Sequence, residues 1–186
     1  MKHPGPHLSV PGVRLASSIT SAFTSRLPRE IEADPAHEAI RARLAAAGRR
    51  LWSGGRAVVP VVPLRPALAA ALAAAHRDGH LVLGFEGAEK ALAAETHGLA
   101  LVARRGGPAP GARVSRLLLL SNDGADRLYR HVERLVIAHA PRVQVLMLDA
   151  DAGTVGRSTT ARDPAVKVVL VRHKQAVAAF LRALTA

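Results

Sequence analysis

The chain has 186 residues, with 26 lysines and arginines against 14 aspartates and glutamates, a formal net charge of +12 and no cysteine. That length suits one domain with some chain to spare, and the missing thiols exclude disulfides, thiolate nucleophiles and cysteine-type zinc sites. No apolar run approaches the roughly 20 residues that span a bilayer, so no membrane is expected, and the basic excess makes polyanions, nucleic acid first, the natural partners.

Two further features narrow the choice. Aromatic residues make up 3% of the chain, so a surface that stacks successive unpaired bases on aromatic rings is poorly supplied and phosphate and shape contacts must dominate. The nine histidines form no HxH or HExxH pattern, and no cofactor is expected. The heavy use of alanine and arginine also fits a GC-rich coding sequence, which accounts for part of the charge.

Residues 1–33 read as a basic N-terminal arm. The first 29 hold no acid and four prolines, as in a segment that orders only on a partner, and the stretch from Val13 to Leu27 is similar to a mitochondrial presequence. A single domain is expected over 34–186. Asp34 before Pro35 starts a helix that runs to about Arg50. Ser53 to Arg56 break it, and Val58 to Leu64 are extended, with Pro60 and Pro63 confining them to an edge strand or a covering segment. Pro66 opens a helix that Gly79 closes.

From His80 the pattern alternates. A strand ends at Gly84 and a helix covers Glu86 to Thr96; a short strand at Leu99 to Arg105 and a flexible insertion follow, so that 99–114 stand apart. Strands at Arg116 to Ser121, Val143 to Leu148 and Val166 to Val171 are separated by a helix at Ala125 to Ala140 and by a short helix or loop. A helix at Lys174 to Leu184 ends the series. The apolar blocks are continuous, as in strands covered on both faces. The expected fold is α/β, a three-layer α/β/α sandwich with a four- to five-stranded mixed sheet.

The junction Leu81 to Leu92, LVLGFEGAEKAL, resembles a motif of the kink-turn RNA-binding superfamily of ribosomal, small nucleolar ribonucleoprotein and ribonuclease P/MRP proteins. Its pattern is glycine, any residue, Asn, Glu, two residues, then Lys. Gly84 and Lys90 match; Glu86 stands at the Asn position and Gly87 at the Glu position. The resemblance extends over about Arg65 to Leu184. The segment from Arg116 to Leu148 is similar to the family's second strand, third helix and third strand, and Val155-Gly156, a polar loop and VKVVLV look like its last helix, recognition loop and final strand. The ribonuclease P/MRP branch looks nearest, and a bacterial branch with a GFE turn competes.

The resemblance implies a non-catalytic RNA-binding subunit of a ribonucleoprotein, acting in tRNA and rRNA processing in the nucleus or nucleolus beside other protein subunits. The alternative it implies is a ribosomal or mitoribosomal protein, the latter in the mitochondrion. The RNA site would comprise Gly84, Phe85, Glu86, Gly87 and Lys90, with Asn122, Arg127 and a loop carrying Arg157, Ser158, Thr159, Thr160 and Arg162. Physically, a helix N-terminus offers free N–H groups to a phosphate and Lys90 adds a charge one turn on. An Asn amide can donate to a base edge, whereas ionised Glu86 only accepts. Arg127, Arg130, His131 and Arg134 fall on one helical face, but Glu133 interrupts the sequence, which favours an ordinary solvated surface. The segment VLMLDADAGTV is also similar to the nucleophile motif of haloacid dehalogenase-like phosphatases. An extra alanine between Asp151 and Gly153 and a reversed motif order argue against that enzyme.

Overall fold

The computed structural model describes residues 26–46, 48–108, 111–160 and 164–186. Among these the elements run α1 (Arg29–Glu32), α2 (His37–Ala45), β1 (Gly48–Arg50), β2 (Val58–Pro63), α3 (Pro66–Arg77), β3 (Leu81–Leu83), α4 (Phe85–Arg104), β4 (Arg116–Leu120), α5 (Asp126–His139), β5 (Val143–Asp149), α6 (Ala152–Thr160), β6 (Val168–Val171) and α7 (Lys174–Ala183). The strands form one mixed sheet in the order β1-β2-β5-β4-β6-β3. β2, β5 and β4 are parallel; β6 is antiparallel to β4 and to β3, and β1 is antiparallel to β2.

The continuous apolar runs are explained by cover on both faces. Within β4, Leu117 and Leu119 belong to one buried cluster with residues of α1, α2, α3 and α7, while Leu118 and Leu120 belong to a second with α4 and α5. Residues Leu146 and Met147 of β5 split the same way. Alternate side chains of a strand point to opposite faces, so a strand buried twice favours apolar residues at nearly every position; the buried exception, Gln144 of β5, donates to the Val145 carbonyl. The α/β sandwich is as expected, with six strands rather than four or five.

Four local expectations are corrected. The first helix stops at Ala45, and Gly48–Arg50 is a strand; Leu51 donates to the Ala57 carbonyl and is itself buried, so burying the hairpin outweighs continuing an exposed helix. That hairpin gives β2 a neighbour on each side, so Val58–Pro63 is interior rather than an edge. Proline removes a donor but keeps its acceptor, and Val61 and Val62 still pair with Met147 and Leu148 of β5.

The segment Leu99 to Arg105 continues α4 instead of forming a strand. Gly106, at φ +75°, closes the helix: its N–H reaches the Ala103 carbonyl and that of Gly107 reaches Val102, the paired bonds of a Schellman cap. The glycines read as the start of a loop are the helix terminus. Likewise Arg157 to Thr160 are the last turn of α6, not a loop; Thr159 and Thr160 satisfy their hydroxyls on the Val155 and Gly156 carbonyls, at 2.7 and 3.1 Å.

Residues 26–33 of the predicted arm belong to the domain. Leu27 and Ile31 lie in the first buried cluster, Val114 donates to the Arg26 carbonyl, and Arg113 holds both the Leu27 carbonyl, at 3.0 Å, and the Glu32 carboxylate. Residues 1–25, and with them most of the segment similar to a presequence, lie outside the described residues. No described helix is long and apolar enough to cross a membrane.

Candidate nucleic-acid interface

The parallel strands deliver their C-terminal ends to one edge of the sheet, where β6 begins. Backbone bonds lace this edge together: Gly84 N–H to the Val168 carbonyl at 2.8 Å, Ser121 N–H to Lys167 at 3.1 Å and Asn122 N–H to Ala150 at 2.9 Å. Gly84, Lys167, Asn122 and Asp149 therefore follow one another across adjacent strands at a spacing of about 4.8 Å per strand.

Gly84 takes φ +83° and a Cβ there would meet nothing within 4 Å, so glycine is required by the backbone angle and not by space. It is the residue before α4, whose first turn has no side-chain cap and therefore leaves its N–H groups for solvent or a ligand. Gly87 has a different role from the one the resemblance implies. A Cβ on it would lie 2.9 Å from Val82 Cγ1, so it lets α4 sit down on β3. Glu86 and Lys90 are exposed one helical turn apart, and Phe85 is half-buried, its ring edge-on to His131 of α5 with centroids 5.9 Å apart.

Asn122 is held in place at the next turn. Its amide donates to Asp149 Oδ1 at 3.0 Å, while the buried Tyr129 hydroxyl donates to the Ser121 carbonyl and accepts from Gly124 N–H, both at 2.8 Å. Burial pushes the Tyr129 phenol up, the Gly124 bond only partly offsetting it. Asp151 caps α6 by accepting Thr154 N–H at 2.6 Å, and that bond holds its carboxyl below the usual carboxylate range. With Asp123, which accepts from Ser121 Oγ and Ala152 N–H, these carboxylates make the β4–β5 half of the edge acidic. Among the described residues no three His, Cys, Asp or Glu side chains are grouped to hold a metal ion.

The α6 residues do not join this site as expected. Thr159 is buried, Ser158 is half-buried, and Arg157, although exposed, donates to Thr154 Oγ1 at 3.1 Å. The return chain packs so closely on Gly156 that a Cβ there would collide with the Pro164 carbonyl. Arg162 lies outside the described residues.

The positive surface is on α5. Arg127, Arg130 and Arg134 are all exposed, at spacings that place them on one helical face. Glu133 does not interrupt them. It is 9% exposed and turned inward, where Oε1 accepts Ala57 and Arg56 N–H at 2.6 and 2.8 Å and Oε2 accepts Trp52 Nε1–H at 2.7 Å. Burial pushes this carboxyl up, but the three N–H donors overcome it and hold it below its ordinary value. The same hairpin puts Arg130 over the Trp52 ring, 5.5 Å from its centroid, and leaves Arg49, Arg50 and Arg56 exposed.

A groove of about 360 Å³ separates α4 from α5, bordered by Phe85, Glu89, His131, Arg134 and His139. Thr96 Oγ1 and His139 Nδ1, 3.0 Å apart, join the two helices; burial lowers the His139 pKa. Sequence reasoning missed Arg49, Arg50, Arg56 and Lys167. The arginines were assigned to a helix end and a break, and only the β1–β2 hairpin brings them beside α5.

No family model matches the chain, and no curated protein matches it. Among solved structures it is similar to a Bacillus halodurans protein of unknown function, at 16% identity and a TM-score of 0.44 over 63% of this chain and 99% of the other.

Proposed function

We propose that the protein is a non-catalytic subunit that binds structured RNA, with ribonuclease P/MRP as its particle and the ribosome or mitoribosome as the alternative within the same class. The observation that carries this reading is the inward Glu133, which leaves Arg127, Arg130 and Arg134 as an outward row with only Asp126 at its start, beside the groove, bordered by Glu89, that leads to the uncapped start of α4.

Such a surface recognises phosphate. Arginine presents a planar fork of donors that matches phosphate oxygens, a helix N-terminus adds oriented N–H groups, and Lys90 extends the positive rim. The aspartates on the β4–β5 half of the edge repel phosphate, as do the exposed Glu86 and Glu89 of α4, so the α5 arginines carry most of the attraction. Glu86, at the position where the resembling family has Asn, accepts from an exocyclic amino group of guanine or cytosine instead of donating.

The test is to recover the tagged protein from its own cells at moderate salt and sequence the RNA that accompanies it. One enriched structured RNA supports the reading and identifies the particle: ribonuclease P/MRP RNA for the first assignment, ribosomal RNA for the second. Recovery without RNA, or with an unselective mixture that a basic control protein also retains, overturns it.

A further inference from the structure

At the opposite end of the sheet from Gly84 there is a cleft of about 670 Å³. It lies where β3 and β4 begin and β6 ends. His80 and His173 stack in its wall with ring centroids 4.1 Å apart and planes 12° from parallel. Arg116 and Arg172 border it, and Ala91, Ala94 and Leu170 supply an apolar lining.

The cleft is lined by two guanidiniums, Arg116 and Arg172, and two carboxylates, Asp78 and Glu95, and Arg142 brings a third guanidinium to Glu95. Glu95 is shared between Arg116, at 2.9 Å, and Arg142, and among the described residues the Arg172 side chain has no ion pair or hydrogen bond. Burial first, and then the neighbouring Arg172 charge, lowers the Arg116 pKa. The Arg172 main chain is held at the cleft, its N–H donating to the His80 carbonyl at 2.9 Å, and its side chain is exposed there. His173 Nδ1 is buried without a hydrogen-bond partner, an unmet polar demand in the same wall. Helix α7 starts immediately after it with no side-chain cap.

From this arrangement we infer a second binding site, specific for a small organic phosphate of about nucleotide size. Three guanidiniums, of Arg116, Arg142 and Arg172, stand against the carboxylates of Glu95 and Asp78, and Arg172, which has no ion pair among the described residues, is placed to take an anion. The cleft is within the roughly 300–1,000 Å³ of small-molecule sites and much larger than a phosphate ion. The apolar lining and the stacked imidazoles suit a flat organic portion, which a continuous RNA backbone would not place in a cleft. This site lies across α4 from the α4–α5 groove: Ala91, Ala94 and Glu95 line the cleft, whereas Glu89 and Ala93 line the groove.

The experiment is isothermal titration calorimetry on the full chain at fixed ionic strength, with inorganic phosphate, pyrophosphate, adenosine 5′-monophosphate and adenosine as probes. Adenosine 5′-monophosphate is expected to bind saturably at one site and more tightly than inorganic phosphate or pyrophosphate, and adenosine is expected not to bind. Arg172→Gln, at an exposed position, should weaken that binding about tenfold or more, the effect of one charge-assisted bond. His80→Gln, which removes the stack, should weaken it independently. RNA affinity should be unchanged in Arg172→Gln. Absence of binding by adenosine 5′-monophosphate, binding of the inorganic ions as tight as its own, equal binding of adenosine, indifference to both substitutions, or a parallel loss of RNA affinity would each overturn the proposal.

Discussion

The indole N–H of Trp52 donates to the buried Glu133 carboxylate at 2.7 Å, joining the β1–β2 hairpin to the inner side of α5 across 81 residues of chain. Because the second carboxylate oxygen takes the N–H groups of Arg56 and Ala57, one acidic side chain closes the polar accounts of a whole turn. Glu133→Ala would leave those donors facing a buried gap, and Glu133→Gln would set an amide donor against at least one of them. Either substitution is expected to lower the unfolding free energy by about 1–3 kcal/mol, the cost of orphaned buried polar groups, as read by urea denaturation.

The same carboxylate sets a pH dependence. Its folded pKa is lowered, so the unfolded state binds the proton more readily and stability falls with falling pH. The contribution is complete above the ordinary glutamate range and is lost as pH drops through the lower folded value. Wild type should therefore lose stability through the acid range more steeply than Glu133→Gln, which has no proton to take up there. Parallel curves for the two proteins would mean that other groups control the acid limb.

Apart from Leu99 to Arg105, the alternation from His80 to Leu184 was legible because each strand is an apolar run bounded by glycine or polar residues, and burial on both faces favours that composition. Gly84 was legible for the same local reason. What sequence could not supply was partnership at a distance. Glu133 looks like a break in a basic stripe until Ala57, 76 residues away, is placed against it. Gly106 and Gly107 are equally good loop residues and cap residues, and only the presence or absence of a strand neighbour for Leu99 to Arg105 decides. The threonines of α6 read as loop because hydroxyls favour turns, yet a hydroxyl that bonds the carbonyl four residues back is compatible with a helix.

RNA affinity should respond to the α5 row and not to α6. Arg130→Ala and Arg134→Ala are each expected to weaken binding and to reduce the slope of log affinity against log salt by about one, as for a lost phosphate contact; Lys90→Ala should act in the same direction. Ser158→Ala, on a half-buried part of α6, should leave both quantities unchanged. Fluorescence anisotropy with the co-purified RNA at several salt concentrations measures affinity and slope together. A slope unaltered in all three basic variants would remove α4 and α5 from the interface.

The hydroxyl of Tyr129 holds the turn that presents Asn122, donating to Ser121 and accepting from Gly124 at 2.8 Å each. Tyr129→Phe keeps the buried ring and removes only these bonds, so the fold should persist with a loss of about 1–3 kcal/mol. Amide exchange at Gly124 should quicken selectively, because its N–H loses the acceptor while the β4 ladder remains. Uniform acceleration across β4 and β5 would instead show that the turn and the sheet open as one unit.

Two glycines at the start of α4 should fail for different reasons, which makes them separable. Gly84→Ala forces an L side chain into a positive φ where there is open space, and is expected to cost about 1 kcal/mol that no neighbouring change recovers. Gly87→Ala instead drives a methyl to 2.9 Å from Val82 Cγ1, a packing clash that the second substitution Val82→Ala should relieve. The double variant Gly87→Ala/Val82→Ala should therefore be more stable than the sum of its single effects, a coupling expected only for residues in contact. Thermal unfolding of the four proteins in that cycle gives the coupling directly, and strict additivity would show that α4 does not rest on Val82 through Gly87.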